Sequence, residues 1–145
     1  MEPRNPDYHR RVQEIFDSAP FVADLGIHVR EIAPGRCETG LELRTKHHQQ
    51  DGFAHAGVLA TIADHTAGAA AATLVGPAET VLSVEFKINM LRPALGQALR
   101  CVATVLKAGR TLIVTEPEVH ALDGHDSRLV SKATVTLAVV SIPER

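Results

Sequence analysis

Residues 56–75 form the stretch AGVLATIADHTAGAAAATLV. It contains no helix breaker except its glycines. Alanine at positions 56, 60, 63, 67 and 69–72, together with Val58, Leu59, Ile62, Leu74 and Val75, favours helix and makes it apolar nearly all round. A helix without a polar face must be covered, so a sheet has to wrap it. Its length of about 20 residues would also suit a membrane span, but Asp64 and His65 sit mid-segment and small residues dominate. A buried helix is the expectation, with no membrane as partner.

The flanking segments supply the wrapping. Residues 27–33 form a plausible strand and Pro34-Gly35 a turn. Residues 36–44 alternate, with Cys37, Thr39, Leu41 and Leu43 on one face and Arg36, Glu38, Glu42 and Arg44 on the other, which predicts a hairpin with one buried face. Upstream, Asn5 as N-cap, Pro6 at the first helical position and an apolar stripe at Val12, Ile15, Phe16 and Ala19 predict a helix that Pro20 ends. Residues 45–54 are polar, contain Asp51-Gly52, and read as a loop.

After Gly76-Pro77 come four strand candidates, at 80–91, 97–107, 111–122 and 128–140, expected as antiparallel neighbours. Pro93 and Gly96, Ala108-Gly109-Arg110, and Asp123-Gly124 punctuate them. Leu82, Val84, Phe86, Ile88 and Met90 are expected on one face of the first of these, with Ser83, Glu85, Lys87 and Asn89 on the other. Pro117 predicts an edge position or a bulge. The fold class is α+β: one domain over residues 1–145, with an N-terminal helical segment at 5–24 and a core at 25–140 of about six antiparallel strands around the central helix.

Composition bounds the function. The chain has 145 residues, 45% hydrophobic and 22% charged, enough to bury a core without disulfides or a structural metal. Fifteen Lys and Arg against 17 Asp and Glu give a net charge of -2, which argues against generic nucleic-acid binding. Residues 86–115 nevertheless hold no acid and five cations, Lys87, Arg92, Arg100, Lys107 and Arg110. These either meet an anionic ligand or are solvated cations that discourage edge pairing. Cys37 and Cys101 have no CxxC or zinc-type spacing, and the N-terminus has no apolar signal core, so a reducing, cytoplasmic setting is expected. Eight histidines show no HExxH-like pattern, and GxSxG, P-loop and GxGxxG motifs are missing. Neither a metal nor a cofactor is expected.

The chemistry concentrates on the helix. Asp64 is a carboxylate in an apolar wall, and burying an unpaired charge is costly. It is either a general base or nucleophile, or a structural partner of His65 or a basic side chain from elsewhere. The amides of Ala56, Gly57 and Val58 lack intrahelical acceptors and lie at the positive end of the helix dipole. They bind an oxyanion or are satisfied by water. Ala56 and Asp64 are eight residues apart, ~12 Å along one helix axis. If both act on one carbonyl, two antiparallel helices from two copies must combine, which predicts a homodimer with composite sites. Gln49 can orient water or hold an acyl group and His55 can cap the helix, although as isolated residues both read as structural.

The run QQDGFAHAGVLATIAD, residues 49–64, resembles the hotdog-fold thioesterases of the PaaI-like group. Leu82 to Lys87, Arg92-Pro93-Ala94, Gly96 and Gly109-Arg110 are similar to that family's strand segments. The resemblance implies a long helix wrapped by a curved sheet and hydrolysis of acyl-coenzyme A by a dimer, commonly a dimer of dimers. It makes Asp64 the catalytic carboxylate, Ala56 the donor of an amide to the thioester oxygen, His55 the family's preceding His, and Gln49 the counterpart of its Asn. Gly57 and Ser83 fall at substrate-side positions, and Arg92 and Arg110 match cations suited to coenzyme A phosphates. Ala56 in place of Gly keeps the amide but adds a methyl, and Gln49 in place of Asn lengthens the reach. A hotdog hydratase or dehydratase and a non-catalytic acyl-thioester binding module are the competing readings.

Overall fold

The computed structural model describes residues 1–143. Two short helices come first, α1 (Tyr8–Asp17) and α2 (Pro20–Leu25), then strands β1 (His28–Ala33) and β2 (Arg36–Glu42). The central helix α3 (Ala56–Ala72) follows, and β3 (Glu79–Met90), β4 (Ala98–Ala108), β5 (Leu112–Asp123) and β6 (Asp126–Ser141) complete the chain. A single-turn 3-10 helix at Thr45–His47 precedes the loop to α3.

The expected first helix is two helices. Pro20 does end the apolar stripe, but its fixed φ also suits a first helical position, and it opens α2 there. Asp7, not Asn5, is the N-cap of α1, while Asn5 accepts the Asp7 amide through its side chain. α2 stops at Gly26, whose φ of 90° is the left-handed conformation that lets Gly26 and Ile27 amides both reach back to Val22 O.

All six strands form one antiparallel sheet in the order β1-β2-β4-β5-β6-β3. β3 is therefore not the neighbour of β4. The chain crosses the sheet after β3, which pairs with β6 and lies at an edge. α3 packs on the sheet and buries Val58, Leu59, Ile62, Ala63, Thr66, Ala67 and Ala69 to Ala72. Alanines let the strands approach closely, and the one buried hydroxyl of that face is satisfied, Thr66 bonding Ile62 O and Thr39 Oγ1, each at 2.6 Å. This is the hotdog arrangement. Thr73 to Val75, expected within the helix, lie just past its end.

Three strands depart from their expected patterns. β2 is buried on both faces from Cys37 to Leu41, because Arg30, Arg36 and Arg100 fold over Glu38 on the outer side. β5 is an interior strand, so Pro117 is not at an edge. It pairs with Ala103 of β4, and the ladder to β6 passes from Thr115↔Val135 to Glu118↔Lys132 without a pair at Pro117. In β3 a bulge lies between Ser83, opposite Leu137, and Glu85, opposite Thr136. Because the extra residue inverts the alternation, Val81 and Ser83 face α3 before it and Phe86, Ile88 and Met90 face α3 after it. The single apolar face expected for this strand is thus split.

Cys37 and Cys101 are free thiols in the core, and burial pushes both up to about 12, so they are inert. No described helix is long and apolar enough to cross a membrane.

Candidate active site

α3 brings Asp64 to a partly buried position on the side of the helix that faces β3. There Ser83 Oγ donates to Asp64 Oδ1 at 2.6 Å. None of the ion pairs formed among the described residues involves Asp64. The structural alternative, a pairing with His65 or with a distant cation, is therefore not what this carboxylate does in the protomer. With one oxygen held by a hydroxyl, the other is left for water or substrate. Asp64 borders two cavities. One, of about 360 Å³, includes Ile15, His65, Gly68, Val81, Ser83 and Leu137 in its lining. The other, of about 260 Å³, is lined by Phe21, Val22, Ala60, Thr61, His65 and Phe86.

His65 makes no hydrogen bond to its neighbour Asp64. Its ring stands edge-on to Phe16 with centroids 4.5 Å apart, and its Nε2 is buried without a hydrogen-bond partner. Burial lowers its pKa against the opposing pull of Asp64, which keeps the imidazole neutral.

The start of α3 is more selective than the sequence implies. His55 is the N-cap, and its Nδ1 accepts the Gly57 amide at 2.8 Å, which requires the hydrogen on Nε2. The Val58 amide goes to His55 O at 2.9 Å. Of the three amides expected to be free, only that of Ala56 has no acceptor among the described residues, and Ala56 is exposed. Gln49 is occupied by its own loop: its Oε1 accepts the Asp51 and Phe53 amides at 2.5 and 3.3 Å. It holds the turn that leads into α3.

The cations do not form one patch. Arg100 is taken by Glu38. Arg92, which donates to Leu129 O at 2.8 Å, lies beside Gln49, Phe53 and Ala56 at a cavity of about 350 Å³ at the start of α3. Arg110 lies with Met1, Arg4 and Leu74 at a cavity of about 430 Å³ past the other end of the helix. A 17-residue helix separates them by ~25 Å. The protomer thus unites Asp64 with Ser83, and Ala56 with His55, Gln49 and Arg92, but keeps these two groups apart. Ile15, Gly68 and Phe86 share the space around Asp64 and carry no motif, since a bulge and a long-range helix contact place them. No group of three or more metal-type side chains gathers among the described residues.

The family model described as "Thioesterase superfamily" matches residues 51–127, more than half of the chain, and spans both the start of α3 and Asp64. The chain belongs to the thioesterase superfamily. The crystal structure of a thioesterase family protein from Silicibacter pomeroyi superposes with a TM-score of 0.91 at 36% identity, covering 92% of this chain and 98% of that one. A 1,4-dihydroxy-2-naphthoyl-CoA hydrolase of Listeria monocytogenes is 29% identical over 92 residues, 63% of this chain and 75% of its own. A Saccharolobus solfataricus protein described as an esterase is 30% identical over 79% of this chain and 82% of its own. Membership of this superfamily and the names of these relatives support thioester hydrolysis as the reaction class, and the superfamily's hotdog fold is the one described above.

Proposed function

We propose that this protein hydrolyses acyl-coenzyme A thioesters to the free acid and coenzyme A, as a PaaI-like member of its superfamily. The observation that carries the reading is the Asp64 carboxylate, held through one oxygen by Ser83 at 2.6 Å and open to a cavity through the other. The Listeria relative, named for a coenzyme A thioester, supports the substrate class.

The working site is composite. β3 is a 12-residue edge strand with Leu82, Val84, Phe86 and Met90 between 43% and 61% exposed, an unprotected edge of the kind that pairing covers. Antiparallel pairing of two β3 strands sets two α3 helices side by side in opposite directions. The Ala56 amide of one subunit then faces Asp64 of the other, and Arg92 of one approaches the Arg110 end of the other, where coenzyme A phosphates are met. Pairing of two such dimers is the further expectation.

The Ala56 amide and the helix dipole polarise the thioester carbonyl. Asp64 takes a proton from water as that water attacks, or itself attacks to give an anhydride that water opens. Collapse of the tetrahedral adduct breaks the C–S bond, and the coenzyme A thiolate takes up the proton. Ser83 orients the carboxylate, His55 fixes the first turn of α3 beside Gly57, and Gln49 shapes the loop before it. No cofactor enters this scheme, and two inert free thiols fit a cytoplasmic setting.

The test is thiol release from phenylacetyl-, benzoyl- and C4 to C12 acyl-coenzyme A by wild type and Asp64→Ala. Turnover that vanishes in a folded variant is expected. A variant that keeps the wild-type rate overturns the assignment.

A further inference from the structure

The cavity beside Asp64 continues along α3 away from the helix start. It begins at the Asp64–Ser83 hydrogen bond and passes His65, Gly68 and Ala69, with Ile15 of α1 and Val81 and Leu137 of the β3–β6 pair as its apolar walls. Gly68 is anomalous there. Glycine weakens a helix interior relative to alanine, and nothing steric demands it. Its φ is not positive, and a Cβ at this position would meet only Leu137 Cδ2, at 3.8 Å, an ordinary contact. What the missing side chain provides is room in the cavity, one helical turn or ~6 Å beyond Asp64.

We propose that the acyl group of the substrate lies in this cavity between α1, α3 and the β3–β6 pair, and that Gly68 sets its depth. The inference rests on the hydrolase reading and assigns its specificity. At about 360 Å³ the cavity is near the lower end of the ~300–1,000 Å³ range of small-molecule sites, which suits a compact acyl group such as a single aryl ring. The neutral His65 presents no charge to it. Ile15 of α1 forms part of the wall, so the N-terminal helix helps to choose the substrate.

Gly68→Ala and Gly68→Leu test this as a graded pair, the alanine variant being the one that the helix favours. The readout is the ratio of kcat/KM for phenylacetyl-coenzyme A to that for acetyl-coenzyme A. It falls about tenfold or more in Gly68→Leu, the scale set by a methylene or two in an apolar pocket, and by less in Gly68→Ala. A ratio unchanged in both variants overturns the proposal while leaving the hydrolase reading intact. If the wild type releases no thiol from any thioester, the hydrolase reading falls, and calorimetric titration with phenylacetyl-coenzyme A decides the cavity. Binding at least tenfold weaker to Gly68→Leu than to wild type supports the assignment, whereas equal affinity, or no binding to wild type, overturns it.

Discussion

Glu38 on β2 and Asp64 on α3 are both carboxylates drawn out of water, and the protein surrounds them in opposite ways. The Glu38 side chain is 9% exposed, with guanidinium nitrogens of Arg30, Arg36 and Arg100 at 3.4, 3.3 and 2.7 Å. Arg100 makes two hydrogen bonds to it, which hold its carboxyl below the usual range against the opposing effect of burial. Asp64 has one serine hydroxyl and a cavity. A carboxylate whose lone pairs are all met by cations joins strands and has nothing left to offer a substrate. One that retains a free oxygen at a cavity keeps the capacity to take a proton or attack a carbonyl.

Loss of either carboxylate should therefore give a different phenotype. Asp64→Ala should lower thioester turnover by about 10³-fold, within the range for loss of a general base, while its unfolding free energy from a urea melt stays within about 0.5 kcal/mol of wild type. Glu38→Ala should do the reverse. Removing one partner of a fully buried ion pair costs ~3–5 kcal/mol, and the partial exposure of the arginines reduces this to about 2 kcal/mol in a denaturant melt, with kcat of the folded fraction unchanged. A large kinetic loss in Glu38→Ala would show that the two carboxylates are not separate.

Ser83→Ala removes one hydrogen bond to a charged group, an interaction of ~1.5–3 kcal/mol, and should lower kcat about tenfold with little change in stability. Measured KM rising instead of kcat falling would assign Ser83 to binding. The pH effect is the smallest. Folding lowers the pKa of Glu38 from its ordinary 4.5, so its contribution to stability is present above that value and is lost as pH falls through the folded pKa. Stability of the wild type should therefore decline below about pH 4.5 more steeply than that of Glu38→Gln, and parallel declines would remove Glu38 as the cause.

The sequence makes the wrapped helix legible because composition alone demands it, and it singles out Asp64 as a candidate while leaving a structural pairing open. Twenty residues with no polar face must be wrapped, and a lone acid among them demands a reason. The hairpin of β1 and β2 is likewise written in a local turn. What local pattern does not carry is pairing across distance. β3 finds β6 across some 50 residues, Arg100 finds Glu38 from another strand, and neither is encoded near itself. Arg92, Arg100 and Arg110 look like parts of one feature in sequence and separate in space, because strands reverse direction between them. At the helix start, counting amides leaves three free, but the His55 side chain takes one and its carbonyl another.

The bulge in β3 has a consequence for how this strand would answer to mutation. Pleating gives a strand a parity, and one surplus residue at Val84 reverses it, so that odd positions lie beneath the helix up to Ser83 and even positions do so from Phe86 onward. A positional scan along Glu79–Met90 would return two interleaved sensitivity profiles half a period out of phase, meeting beside Asp64. The shift is what allows one continuous strand to offer the carboxylate a hydroxyl from one half and an aromatic wall from the other.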